Sequence, residues 1–243
     1  MESWLQLLDD SVYRDSFVLR GGLLMDTWIP VGRAVNDLDL LGLGSLEEAD
    51  EAVRALCSAK GEERFEVVNV EKTWEETVAP GLRYQIGPET FQLDIATGDP
   101  LAIAPTRLTI GTATVLCCAP EIMYGWKIHG LFERGEGRWK ARDLYDLYLL
   151  QTRLELDPKV LDPALEIAFT SRNTSLAVTN RFFEDAWGQS SGSKKKWAKF
   201  RNGSQLKAII PENLHIVKDA IADKFGQILL SINAGRGNKE KPI

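Results

Sequence analysis

Two aspartates at i and i+2, Asp37 and Asp39 in the run NDLDLLG, are the first residues whose type and spacing could do chemistry. On a strand, side chains alternate faces, so the two carboxylates would point together while Leu38 and Leu40 point the other way. Carboxylates held that close repel, and without a cation one tends to keep its proton at a cost in folding energy. A divalent ion relieves this. Hard oxygen donors suit Mg²⁺ or Mn²⁺, and the lack of a nearby His or Cys argues against zinc. Upstream, Gly21 and Gly22 follow the short apolar run Phe17 to Leu19. A glycine pair there lets backbone N–H groups approach a phosphate, especially if Leu23 to Trp28 opens a helix. A phosphate cradle followed by a metal-binding strand is the equipment of phosphoryl or nucleotidyl transfer. Each feature alone is also commonplace: Gly-Gly is a frequent turn, and Asn36 and Asp37 could simply lead into a strand.

Other residues fit the same chemistry. In FQLDIATGDP, Phe91, Leu93 and Ile95 alternate with Gln92 and Asp94, placing Asp94 on the polar face of a strand, where a third carboxylate would serve two-metal transfer. A solvated strand aspartate is the plainer alternative. Lys127 interrupts an apolar helical stripe of Met123, Tyr124, Ile128 and Leu131, so its ammonium must reach a partner or a cavity, or snorkel to water. In RWKARDLYDLYLL, Asp143 and Asp146 fall at i and i+3 on one helix side, with Leu144, Leu147 and Tyr148 available for packing.

The elements that must position these residues form an α+β part followed by helices. An amphipathic helix over Trp4 to Leu8 and Val12 comes first, and Val35 to Leu41 is the carboxylate strand. Ser45 and Glu48 form a capping-box signature for a helix that ends at Gly61. Phe65 to Val70, Leu82 to Ile86, Phe91 to Ile95 and Leu108 to Leu116 read as strands, with short connections favouring antiparallel pairs. Pro120 opens a helix running to Gly135. Further helices are expected over Pro158 to Phe169, Ser175 to Trp187, Gln205 to Ile210 and Pro211 to Ile232. Gly235 to Ile243 reads as a frayed tail.

The composition, 44% hydrophobic and 26% charged over 243 residues, is that of a folded globular protein. No apolar run approaches a bilayer span, and MESWLQLLDD has neither a basic nor an apolar leader region, so no membrane association and a cytoplasmic location are expected. Cys57, Cys117 and Cys118 cannot all pair and show no metal spacing; reduced, buried thiols are expected. The net charge of −6 is uneven, with 14 Lys/Arg against 25 Asp/Glu in residues 1–150 and 15 against 10 thereafter. That asymmetry points to a polyanionic partner for the C-terminal part. Within it, Lys194, Lys195, Lys196, Trp197, Lys199, Phe200 and Arg201 form a basic, aromatic segment in a loop or short helix. It could contact RNA phosphates and stack on bases, or it could be a solvated helix face with Trp197 and Phe200 in the core.

The succession GG, NDLDLLG, QLDIATGDP and PEIMYGWKIHGLFERGEGRWKARDLYDLYLL resembles the AbiEii/AbiGii-type nucleotidyltransferases, which include toxins of bacterial toxin–antitoxin and phage-abortive systems. The likeness covers roughly residues 17–150, and its K…RDxxD block is far more selective than DLD. It implies a polymerase-β-like nucleotidyltransferase domain with a mixed or antiparallel sheet over residues 1–118. A helical domain over residues 119–243 would then complete the active-site cleft. Gly21 and Gly22 become the phosphate loop, Asp37, Asp39 and Asp94 the metal ligands, and Lys127 the nucleotide-contacting lysine. Asp143 and Asp146 become the closing acidic motif, and Arg33 stands where the family often has an arginine before its metal strand. Leu23 and Val35-Asn36 depart from the small or hydroxyl residues the family carries there.

By this resemblance, Mg²⁺ or Mn²⁺ is the cofactor, an NTP the donor, the tRNA 3′ end the acceptor, and a cognate antitoxin a partner. A nucleotidyltransferase acting on a protein or small molecule, and a non-catalytic binding module of the same fold, are the alternatives.

Overall fold

A computed structural model of the chain describes residues 1–31, 34–58, 65–73, 79–88, 90–133 and 137–239, the side chains of 234–239 excepted. The chain divides into two compact units, Met1–Ala119 and Pro120–Ile243.

The first unit contains α1 (Glu2–Asp9), β1 (Phe17–Arg20), α2 (Gly21–Trp28), β2 (Asp37–Gly42) and α3 (Leu46–Cys57), then β3 (Phe65–Thr73), β4 (Gly81–Pro88), β5 (Phe91–Thr97), β6 (Thr106–Ile110) and β7 (Ala113–Cys117). Its strands form one mixed sheet in the order β3-β4-β5-β2-β1-β7-β6. The hairpins β3/β4, β4/β5 and β6/β7 are antiparallel, as their short connections require, and so is β1/β2. The longer excursions produce the parallel pairs β2/β5 and β1/β7.

Register explains the burial. Leu19, Leu40, Ile95 and Leu82 lie side by side across four strands, and Leu38, Leu93 and Tyr84 make the next row. All of these are buried. Helix α3 begins with the anticipated capping box, in which the Ser45 hydroxyl accepts from the Glu48 N–H and Glu48 accepts from the Ser45 N–H. It buries Ala49, Ala52, Val53 and Leu56 and touches β3, β4 and β5. The Tyr84 hydroxyl donates to Asp50 at 2.8 Å.

Three boundaries differ from expectation. Helix α1 stops at Asp9, leaving Val12 89% exposed. The anticipated strand over Leu108 to Leu116 is a hairpin, because Gly111, at φ +60°, reverses the chain between β6 and β7. Strand β2 starts at Asp37 rather than Val35. Gly61 lies outside the described residues.

The second unit contains α4 (Pro120–Glu133), α5 (Ala141–Arg153), α6 (Pro158–Thr170), a 3-10 segment Leu176–Phe183, α7 (Ser191–Asn202) and α8 (Leu214–Lys239). Helices α4 and α6 approach closely at Gly125, where a Cβ would stand 2.8 Å from the carbonyl oxygen of Ala164. Glu121 ties the same pair by accepting the Asp157 N–H at 2.8 Å, and Asp157 in turn caps α6.

The sequence pattern of Ser175 to Trp187 predicts an α-helix. The tighter 3-10 winding instead puts Thr179 and Phe182 inward at i and i+3. Gln205 to Ile210 forms turns. Asn213 accepts the His215 N–H through its side chain, so α8 starts at Leu214 rather than Pro211, and its backbone continues through much of the expected tail. Gly135 lies outside the described residues. Among the described residues no helix is long and apolar enough to cross a membrane. All three cysteines are free and buried.

Candidate active site

Strand β1 ends at Arg20, and the chain turns into α2 at Gly21, whose φ of +74° favours a residue without a Cβ. Space imposes the same choice: a Cβ at Gly21 would lie 1.9 Å from Oδ2 of Asp39. The next amide, Gly22 N–H, donates to that same oxygen at 3.4 Å. The positive end of α2 is therefore directed at the second aspartate of DLD, an arrangement that stabilises negative charge there. Asp37 and Asp39 are both partly exposed while Leu38 and Leu40 are buried, so the alternation read from the sequence holds.

The register extends this face sideways. Arg20 of β1 pairs with Asp39 of β2, Asp39 with Asp94 of β5, and Asp94 with Arg83 of β4. Four strands thus carry a row of alternating charge, plus, minus, minus, plus. Arg20 Nη1 also donates to Asp99 Oδ2 at 2.9 Å, with the Asp99 side chain only 3% exposed. At the other end of the row, Arg83 Nε and Nη2 each donate to one oxygen of Asp94 at 2.9 Å, and Gln92 Nε2 adds a third bond at 3.0 Å. The bond to Asp94 raises the Arg83 pKa further, keeping it a cation at any working pH.

Of the expected trio of carboxylates, Asp37 and Asp39 share the partly exposed face of β2, and Asp94 is the neighbour of Asp39 on β5. Both oxygens of Asp94 are held by an arginine. Among the described residues no group of three or more His, Cys, Asp or Glu side chains is arranged to hold a metal ion. The Asp37 and Asp39 pair remains a hard-oxygen donor set of the kind Mg²⁺ uses together with substrate phosphates and water.

A second cluster lies within the helical unit. Lys127 Nζ of α4 donates to Asp146 Oδ2 at 2.7 Å and to Asp143 Oδ1 at 3.4 Å, both on α5. The lysine in the apolar stripe has therefore found carboxylates rather than snorkelling to water. Asp146 is completely buried, and Asp143 and Lys127 are 20% and 14% exposed. Arg33 lies outside the described residues.

The basic segment forms α7, and its rings are occupied. Trp197 is buried with its Nε1–H donated to the Pro211 carbonyl, and Phe200 packs on Trp197 and Tyr145. Base stacking on Trp197 is excluded by this packing. Lys196 donates to the carbonyls of Gly137 and Trp139 and sits 4.5 Å over the Trp139 ring, while Arg201 holds the Ile210 carbonyl. Lys194, Lys195 and Lys199 stay exposed.

Residues 4–219 match the model of the family described as nucleotidyl transferase AbiEii toxin, type IV toxin–antitoxin system. The chain belongs to the AbiEii family. It is accordingly a nucleotidyltransferase of the toxin type, and its mixed sheet followed by helices is the fold found in related solved structures. One is MenT4, a nucleotidyltransferase toxin of Mycobacterium tuberculosis, at 16% identity and TM-score 0.61, covering 94% of this chain and 81% of that one. Another is a nucleotidyltransferase structure from H. pylori at 15% identity and TM-score 0.53, covering 96% and 93%. At such identities the likeness is one of fold. Comparison with curated protein sequences finds no match.

The aspartates and Lys127 are visible in the sequence by spacing and periodicity, and the AbiEii motifs give them their roles. Nothing in the sequence marks Arg20, Arg83, Gln92 and Asp99 as a group. The only available signal was that Arg83 alternates with Leu82 and Tyr84, which marks a polar-face residue without naming its partner.

Proposed function

We propose that this AbiEii-family chain transfers a nucleoside monophosphate from an NTP to a hydroxyl of RNA, the tRNA 3′ end being the favoured acceptor, in the cytoplasm and under the control of a cognate antitoxin. The observation that carries this reading is the turn at Gly21, where the N-terminus of α2 and the DLD strand meet at Asp39. Amides that can cradle phosphate oxygens and carboxylates that can hold Mg²⁺ or Mn²⁺ are then side by side.

In the proposed reaction the acceptor oxygen forms a bond to the α-phosphorus. The bond from that phosphorus to the α,β-bridging oxygen breaks, pyrophosphate leaves, and the hydroxyl proton is released. Asp37 and Asp39 would hold the ion, which when bound supplies neutralisation of phosphate charge. The Gly21 and Gly22 backbone orients the triphosphate. Lys127, steered by Asp143 and Asp146, provides a positioned cation for the nucleotide, and such preorganised charge is the main catalytic resource in phosphoryl chemistry. No covalent enzyme intermediate is required.

The test is incubation with each labelled NTP, Mg²⁺ and total RNA or lysate. Label should enter RNA, be abolished by Asp39→Asn, and require the divalent ion. Because Trp197 of α7 is buried and Phe200 packs on it, RNA would meet this helix chiefly through phosphate contacts. Changing Lys194, Lys195 and Lys199 to Gln should raise the apparent KM for RNA and flatten its salt dependence while leaving the KM for NTP unchanged. Label found only in protein would replace RNA as the acceptor, and no label in any fraction would refute the transfer reading.

A further inference from the structure

The charge row across β1, β2, β5 and β4 contains a cation that the transfer chemistry does not yet use. Arg83 reaches Asp94 through Nε and one N–H of Nη2. A guanidinium carries five N–H donors, so three are not spent on that carboxylate. The Asp94 side chain is 9% exposed and that of Arg83 is 40% exposed, so the anchor is inside and the fork is at the surface. The alignment is fixed twice over, by the β4/β5 register that opposes the two residues and by Gln92, which bonds Asp94 from two positions away. Asp39, against the α2 amides, is Asp94's direct neighbour on β2. The outer edge of Arg83 thus belongs to the face on which the phosphate cradle lies.

We propose that Arg83 is a phosphate-contacting residue of the nucleotide site, and that Asp94 is the positioning residue that holds it. On this view Asp94 is not a ligand of a second metal ion. This rests on the transfer reading above and deepens it. Two carboxylates side by side on neighbouring strands repel a phosphate unless cations stand close by. Arg83, at the end of the row beyond Asp94, is a cation of the protein's own on that face, and a planar fork held at one edge by a carboxylate presents its other edge to a phosphate oxyanion. The oxyanion could belong to the NTP or to the RNA backbone. The proposal commits to the NTP triphosphate, because the α2 N-terminus beside Asp39 is where a triphosphate would lie.

Three variants of the full chain, Arg83→Met, Asp94→Asn and the double variant, would be compared with the parent by calorimetric titration with NTP. Inorganic triphosphate and a short RNA would serve as separate probes, and Mn²⁺ binding would be followed by electron paramagnetic resonance without nucleotide. If Asp94 acts through Arg83, both single variants weaken NTP and triphosphate binding by a similar factor, on the order of tenfold. The double variant is then no worse than either, and Mn²⁺ affinity is unchanged. Arg83→Lys keeps the charge without the fork; it should fall between parent and Met and guards against misreading a folding defect.

Loss of Mn²⁺ affinity in Asp94→Asn, with Arg83→Met binding the ion as well or better, would overturn the proposal and restore Asp94 as a metal ligand. Parent-like NTP binding by both single variants would overturn it as well, as would weakening confined to the RNA probe. A parent chain that binds no nucleotide would overturn this proposal and the transfer reading together. A parent that binds NTP independently of Arg83 would overturn this one alone.

Discussion

At Gly21 a single methyl group would undo the site. The backbone there is left-handed, and the space a Cβ would need is taken by the Asp39 carboxylate. Gly21→Ala should therefore displace Asp39 or unwind the first turn of α2. Transfer is expected to fall by about a hundredfold or more, with a lower melting temperature, because strain at such a position costs about 1–3 kcal/mol. Single-turnover labelling and thermal unfolding of the same preparation check it; an Ala variant with parental activity would mean the turn tolerates a side chain. At this scale much was legible. Asp37 and Asp39 announce a shared face by their spacing alone, and the glycine pair announces close approach. The Arg83 and Asp94 clamp was not legible, because it depends on which residue of β4 faces which residue of β5. Register is set by the whole sheet, not by neighbours along the chain. The clamp also changes the electrostatic account: the repulsion expected among the aspartates is met by Arg83 and the α2 amides as well as by any bound ion.

Helices α4 and α5 are joined by a charge inside an apolar seam. Lys127→Met would make the stripe of Met123, Tyr124, Ile128 and Leu131 continuous, and the sequence alone suggests a harmless change. The contact at 2.7 Å to a fully buried Asp146 reverses that expectation. Removing the lysine takes the cation from a carboxylate that cannot reach water, and breaking such a pair costs about 3–5 kcal/mol. Lys127→Met is expected to lose both stability and transfer, whereas Lys127→Met with Asp146→Asn should recover most of the stability and none of the transfer. Denaturant unfolding of the two variants, set beside their labelling rates, separates packing from catalysis. Equal stabilities would show that Asp146 does not depend on Lys127. Helical periodicity and capping residues made α3 to α6 readable. Reading failed where local signals were ambiguous. Leu108 to Leu116 is uniformly β-prone, so only Gly111 betrays the hairpin, and Phe182 and Thr179 impose a three-residue spacing that a 3.6-residue pattern does not anticipate.

Over the whole molecule, buried neutral acids set the response to alkali. Burial pushes the Cys117 thiol up from its ordinary 9.0 to about 11, and burial raises Cys57 and Tyr84 in the same direction. In the unfolded chain these groups ionise at their ordinary values while the folded chain keeps them protonated. The contribution of Cys117 is therefore complete below pH 9 and is lost as the pH climbs towards 11, and those of Cys57 and Tyr84 likewise fall as the pH rises past their ordinary values. Urea unfolding across that interval should show falling stability, with a shallower slope in Cys117→Val; an unchanged slope would assign the alkaline loss to the other groups. Strand order has a separate consequence for biosynthesis. The first strand, β1, lies between β2 and β7, the last strand, and β2 takes β5 as its other neighbour. Ribosomes release the chain from its N-terminus, so β1 has only half its partners until Cys117 has emerged, and Lys127, Asp143 and Asp146 follow later still. The glycine turn and the DLD strand are translated early, yet the sheet that sets them beside Asp94 and Arg83 closes only when β7 has emerged.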